Sequence, residues 1–150
     1  MTELKRILLV EDKAQDVELT LRALAESNLA NQVEVARDGV EALDYIYSRG
    51  KFSARPPGLP AVVLLDIKMP RLTGLEVLRQ LRADPNFRSL PIVMLTSSRE
   101  EPDLAESYSL GVNAYIVKPV LFERFLEAVR QVGVFWAVLN EPPPKPDGTL

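Results

Sequence analysis

Short apolar runs alternate along this chain with segments in which apolar residues recur every three or four positions. Ile7-Leu8-Leu9-Val10, Ala61-Val62-Val63-Leu64-Leu65 and Ile92-Val93-Met94-Leu95 have no polar break. Runs of that length and purity fit strands covered on both faces. Between them, Val17, Leu21 and Leu24 fall on one face of a helix over about residues 14–27. The alternation is that of βα units around a parallel sheet. Strands are expected at about residues 6–10, 33–37, 61–66, 92–96 and 114–117.

Punctuation places the helices. Asp38 with Glu41, Thr73 with Glu76 and Ser98 with Glu101 have the spacing of capping pairs. They open helices that run to about Gly50, Ala83 and Gly111. Asp84-Pro85 ends the second of these. Three prolines and a glycine make residues 51–60 a loop. A last helix is expected over about residues 120–139, with Leu121, Phe122, Phe125, Val129, Val132 and Trp136 on its core face. Residues 140–150 form a proline-rich arm beyond a single domain of residues 1–139.

Five strands and five helices in strict alternation predict a flavodoxin-like, doubly wound α/β sheet of order 2-1-3-4-5. In that order the first and third strands are neighbours. Glu11 and Asp12 follow the first, and Asp66 ends the third, so the three carboxylates would meet at one rim. Ligands bind at that carboxyl rim in open α/β sheets.

Composition narrows the chemistry. The chain has 150 residues and a net charge of −3, which gives no general attraction to nucleic acid or an anionic membrane. It has no cysteine and no histidine. Disulfides, the usual zinc sites and Ser-His-Asp catalysis are thereby excluded. No apolar run approaches membrane-spanning length, and the N-terminal run is too short for a signal peptide, so a cytoplasmic protein is expected.

Clustered carboxylates repel and raise one another's pKa values unless a cation intervenes. Mg²⁺ suits them, since it takes a few carboxylates, waters and a phosphate oxygen. Thr96 ends the fourth strand with a hydroxyl, and Lys118 follows the fifth with an ammonium group. Metal, hydroxyl and ammonium together would stabilise a transferring phosphoryl group. Asp66 is then the nucleophile that becomes an acyl phosphate. Each residue alone has an ordinary explanation: acids favour a helix N-terminus, threonine is common at strand ends, and strand-end lysines are usually solvated. Tyr115 is as readily a packing residue as a functional one.

Together these residues resemble a response-regulator receiver domain over about residues 5–135. Glu11-Asp12, Asp66-Ile67-Lys68-Met69-Pro70 with Gly74, Thr96-Ser97 and Lys118-Pro119 stand in the family's order. The resemblance implies that Asp66 accepts a phosphoryl group from a phosphohistidine of a sensor histidine kinase. It implies that Asp12 and Asp66 ligate Mg²⁺, Glu11 through water and Lys68 through its backbone carbonyl. Thr96 and Lys118 would bind phosphoryl oxygens, Tyr115 would be the switch aromatic, and Lys118-Pro119 would be cis.

A narrower likeness rests on residues 51–60, Asp84-Pro85, residues 108–115 and Phe135-Trp136. These look like the single-domain receivers partnered with bacterial phytochrome kinases. Output would then be by protein contact or onward phosphotransfer. Two departures stand out: Glu11 replaces the more usual Asp, and Lys68 is an uncommon residue at its position.

Three other functions compete. A metal-dependent phosphohydrolase would need a second acid two residues beyond Asp66, where Lys68 stands. A docking-only pseudo-receiver would not need the full acid, Thr and Lys set. A flavin-binding protein would need a phosphate-cradling loop after the first strand, where two acids stand instead. The run from Gly133 to Leu139 is apolar on every side, which predicts a homodimer with Phe135, Trp136 and Leu139 at the contact.

Overall fold

The computed structural model of the chain describes residues 6–26, 32–56, 58–98 and 102–133. Five strands alternate with five α-helices: β1 (Ile7–Val10), α1 (Ala14–Ala25), β2 (Val33–Ala36), α2 (Gly39–Ile46), β3 (Val62–Asp66), α3 (Gly74–Ala83), β4 (Ile92–Thr96), α4 (Pro102–Ser109), β5 (Ala114–Val117) and α5 (Phe122–Gln131). All strand pairs are parallel, and the order is β2-β1-β3-β4-β5. This is the expected flavodoxin-like sheet.

The unbroken apolar runs are explained by the two faces of the sheet. Leu8, Val10, Val63, Leu65, Ile92 and Met94 point to one side and pack with Leu43, Val77, Leu78 and Leu81 of α2 and α3. Ile7, Leu9, Val62, Leu64, Val93 and Leu95 point to the other and pack with Val17, Leu24, Phe125 and Val129 of α1 and α5. Alternation across the pleat leaves no position of β1, β3 or β4 for a polar side chain until the strands end.

Register then aligns those ends. Val10 pairs with Leu65, Asp66 with Leu95, and Thr96 with Val117. The ladder continues one residue past the strands, with Ile67 N donating to Leu95 O at 3.2 Å and Lys118 N to Thr96 O at 2.8 Å. Glu11, Asp66, Thr96 and Lys118 therefore sit along one rim by backbone hydrogen bonding, before any side-chain contact is made.

Two of the caps form as the spacing predicts. Asp38 accepts from Glu41 N at 2.9 Å. Thr73 and Glu76 complete a reciprocal capping box at the start of α3. Asp38 also takes Arg71 Nη2 at 2.6 Å, tying the β3–α3 loop to the start of α2.

Three expectations are corrected. α2 stops at Ile46 rather than near Gly50, because Ser48 (φ 54°) and Gly50 (φ 59°) are left-handed. The following loop contains a 3₁₀ turn, Gly50–Phe52, and is clamped by Arg55, which donates to Tyr45 O at 2.7 Å and stacks 4.1 Å from the Tyr45 ring centroid. α4 is described from Pro102, and Glu101 of the Ser98–Glu101 cap expected before it falls outside the described residues. α5 ends at Gln131, with Gly133 left-handed at φ 78°, so no single helix runs from Val120 to Leu139. Leu121 is its N-cap and 48% exposed, not a core residue. Phe125 and Val129 are buried as expected. Phe135, Trp136, Leu139 and the proline-rich arm lie outside the described residues.

Candidate functional site

The rim gathers charge in a small volume. Glu11 is 1% exposed and Asp66 5%. With Asp12 they form a trio whose nearest carboxylate oxygens all lie within 4.8 Å of one another. Lys118 faces this trio from the end of β5. Its Nζ lies 2.6 Å from Glu11 Oε1 and 3.2 Å from Asp66 Oδ1. A third carboxylate, Asp16 Oδ2 on α1, is also 3.2 Å from it.

The protonation pattern follows from burial and pairing. Burial, together with a hydrogen bond to Asp66, holds Glu11 above the usual carboxylate range, and Lys118 offsets part of the rise. Burial alone would lower the Lys118 pKa. The hydrogen bond to Glu11 and the charges of Asp66 and Glu11 outweigh that and push it above the usual lysine range. Lys118 is therefore a fixed positive charge at any physiological pH.

One lysine does not balance the acids that surround it. Asp12 Oδ1 is buried with no hydrogen-bond partner among the described residues. Buried anionic oxygen without a donor is costly. Hard oxygen donors, excess negative charge and an unpartnered carboxylate oxygen fit a hard divalent cation at Glu11, Asp12 and Asp66.

The remaining predicted residues are placed differently. Thr96 is buried, but its hydroxyl donates to Ser98 O at 2.8 Å, so it is held by its own loop rather than by Asp66. Tyr115 is half-buried on β5 and meets Tyr108 edge-on, the ring centroids 6.1 Å apart. Lys68 is exposed, two residues beyond Asp66. The Lys118–Pro119 peptide is cis.

Gly74 holds α3 against the nucleophile's own backbone. A Cβ there would come 2.3 Å from Asp66 O and 3.0 Å from Ile67 Cα. Gly74 N also donates to Ile67 O at 2.9 Å.

Residues 7–130 match the response regulator receiver domain. The chain belongs to this family. Among solved structures, the bacteriophytochrome response regulator AtBRR is 58% identical, with a TM-score of 0.85, over 93% of this chain and 100% of that one. The bacteriophytochrome response regulator RtBRR is 60% identical, with a TM-score of 0.83, over 95% of this chain and 86% of that one. Response regulator Rcp1 of Synechocystis sp. (strain ATCC 27184 / PCC 6803 / Kazusa) is 33% identical over 88% of each chain. A structure of the Mn²⁺-bound form of Rcp1 aligns with a TM-score of 0.70 over 89% of this chain and 94% of that one. Receivers are phosphoacceptor signalling domains that bind a divalent metal, and these relatives imply a sensor histidine kinase as the partner.

One site residue of this receiver escaped the sequence reading. Asp16 has an ordinary explanation as a first-turn helix acid, and its lysine is 102 residues away. The available signal was helical spacing: Asp16 stands one turn beyond Asp12.

Replacing Gly74 with Ala is expected to lower stability by about 2 kcal/mol, since backbone must move to admit the methyl group. The urea unfolding midpoint reads this. An unchanged midpoint would show that α3 does not press on Asp66.

Proposed function

We propose that Asp66 accepts a phosphoryl group from a phosphohistidine of a sensor histidine kinase, with Mg²⁺ bound by the rim carboxylates. The observation that carries this reading is the Lys118 ammonium shared between Glu11 and Asp66 beside the unpartnered oxygen of Asp12. An Asp66 oxygen attacks phosphorus, a P–O bond forms, and the P–N bond breaks with its electron pair leaving on the imidazole. The chain has no histidine, so the donor is another protein.

The residues divide the work. Asp12 and Asp66, with Glu11 and the Lys68 backbone carbonyl beside them, would hold the metal. A bound Mg²⁺ would supply positive charge against the phosphoryl oxygens. Lys118 supplies the same from the opposite side. Thr96 exchanges its Ser98 acceptor for a phosphoryl oxygen, and Tyr115 moves with it. Lys68 stands where a hydrolase would carry its second acid, which argues against turnover of small substrates. The chain assists its own phosphorylation and dephosphorylation and is not a turnover enzyme.

The partner is a bacteriophytochrome kinase in the cytoplasm, a reading supported by the likeness to AtBRR and RtBRR. Output passes by protein contact or onward phosphotransfer. The apolar run from Gly133 to Leu139 supports a homodimer through Phe135, Trp136 and Leu139, with residues 140–150 as an arm beyond the domain of residues 1–139.

Incubation with Mg²⁺ and acetyl phosphate is expected to give a phosphate-sized mass gain that Asp66→Asn abolishes. No gain, or a gain that survives the substitution, would overturn the assignment of Asp66. Sedimentation at micromolar concentration is expected to give twice the chain mass, and a monomer would refute the dimer.

A further inference from the structure

We propose that Asp16 is a positioning residue for phosphoryl transfer: it fixes the Lys118 ammonium beside the Asp66 nucleophile, where a phosphoryl oxygen will meet it. The proposal rests on the reading of Asp66 as the acceptor. An ammonium has three N–H donors. Lys118 donates one to Asp16 at 3.2 Å and forms ion pairs with Glu11 and Asp66 at 2.6 and 3.2 Å.

The three acids are not equivalent. Glu11 and Asp66 belong to the carboxylate trio that fits a divalent cation, and Asp16 does not. Asp16 lies outside the trio that would hold a cation, so its contact with the lysine would not compete with one. It makes that contact from α1, at the edge of a cleft of about 10 Å³ between Glu11, Asp16, Leu95 and Lys118.

The anchor is itself fixed. Thr20 Oγ1 donates to the Asp16 carbonyl at 2.9 Å, and Val17 beside it is buried under the sheet. Asp16 is more exposed than the metal-facing acids, its side chain at 29% against 1% for Glu11 and 6% for Asp66. It draws the ammonium toward α1 and the solvent. Without that contact, the ammonium loses the acid that fixes it from α1 and is left to Glu11 and Asp66 alone. With it, Lys118 keeps one place at the rim, close enough to meet a phosphoryl oxygen on Asp66.

The test compares the full chain with Asp16→Ala and Asp16→Asn. The rate of mass gain from acetyl phosphate is followed at saturating Mg²⁺, and Mg²⁺ affinity is measured by calorimetry. Loss of a group that fixes a catalytic charge is expected to slow Asp16→Ala about tenfold. Asparagine keeps an acceptor oxygen at the same reach, so Asp16→Asn is expected within about threefold of the parent. Mg²⁺ affinity is expected to stay within about twofold in both variants, because Asp16 is not a metal ligand.

Parental rates in Asp16→Ala would overturn the proposal. So would equal changes in the two variants, which would make charge rather than position the cause. A fall in Mg²⁺ affinity matching the fall in rate would mark Asp16 as structural. If the parent chain gains no phosphate, the reading of Asp66 fails and this proposal fails with it. If the parent gains phosphate and the variants keep pace, the proposal about Asp16 fails alone.

Discussion

Lys118 is the charge on which the rim depends. Glu11, Asp66 and Asp16 approach it from β1, β3 and α1, elements joined in space only by the folded sheet. Ion pairs that are largely removed from water gain little net stability, since desolvation cancels much of the attraction. Removing one partner is another matter, because it leaves buried charge uncompensated. Without Lys118, the carboxylates at the ends of β1 and β3 would face one another across less than 5 Å with nothing positive between them. The ammonium therefore lets the acids be built in; the unpartnered oxygen of Asp12 shows that it does not fully satisfy them.

The sheet delivers this arrangement through register rather than side-chain chemistry. Parallel pairing ends β1, β3, β4 and β5 at one level, and the pleat buries every earlier side chain of β1, β3 and β4. Polar groups can appear only where the strands run out. Gly74 then sets how closely α3 meets the backbone of Asp66, and the Asp38–Arg71 pair anchors the intervening loop. The loop between β3 and α3 is thus restrained at both ends of a short path, which keeps Lys68 and the nucleophile in a fixed relation.

Much of this could be read from the chain because the strands are pure. Ile7 to Val10, Val62 to Leu65 and Ile92 to Leu95 read as buried strands between turn signals, and the order 2-1-3-4-5 is the common solution for a doubly wound sheet of this size. What stayed hidden depends on local backbone or on distance. α2 ends through a left-handed Ser48, which no common helix stop signals. α5 ends at Gln131, just before the left-handed Gly133 that opens an apolar run whose composition favours continuation. Asp16 reaches Lys118 across 102 residues and has a plainer role as a helix-start acid. The Thr96 hydroxyl was foreseen, but not that Ser98 holds it.

The central claim is that Lys118 leaves the rim short of positive charge and that a divalent cation supplies the remainder. The most direct measurement is the thermal unfolding midpoint with and without Mg²⁺, for the parent chain and Asp12→Asn. A ligand bound only by the folded state at a hundredfold excess over its Kd stabilises by about 2.7 kcal/mol. A midpoint that rises with Mg²⁺ in the parent and not in Asp12→Asn is the expected result. An unmoved parent, or an equal rise in the variant, would contradict it.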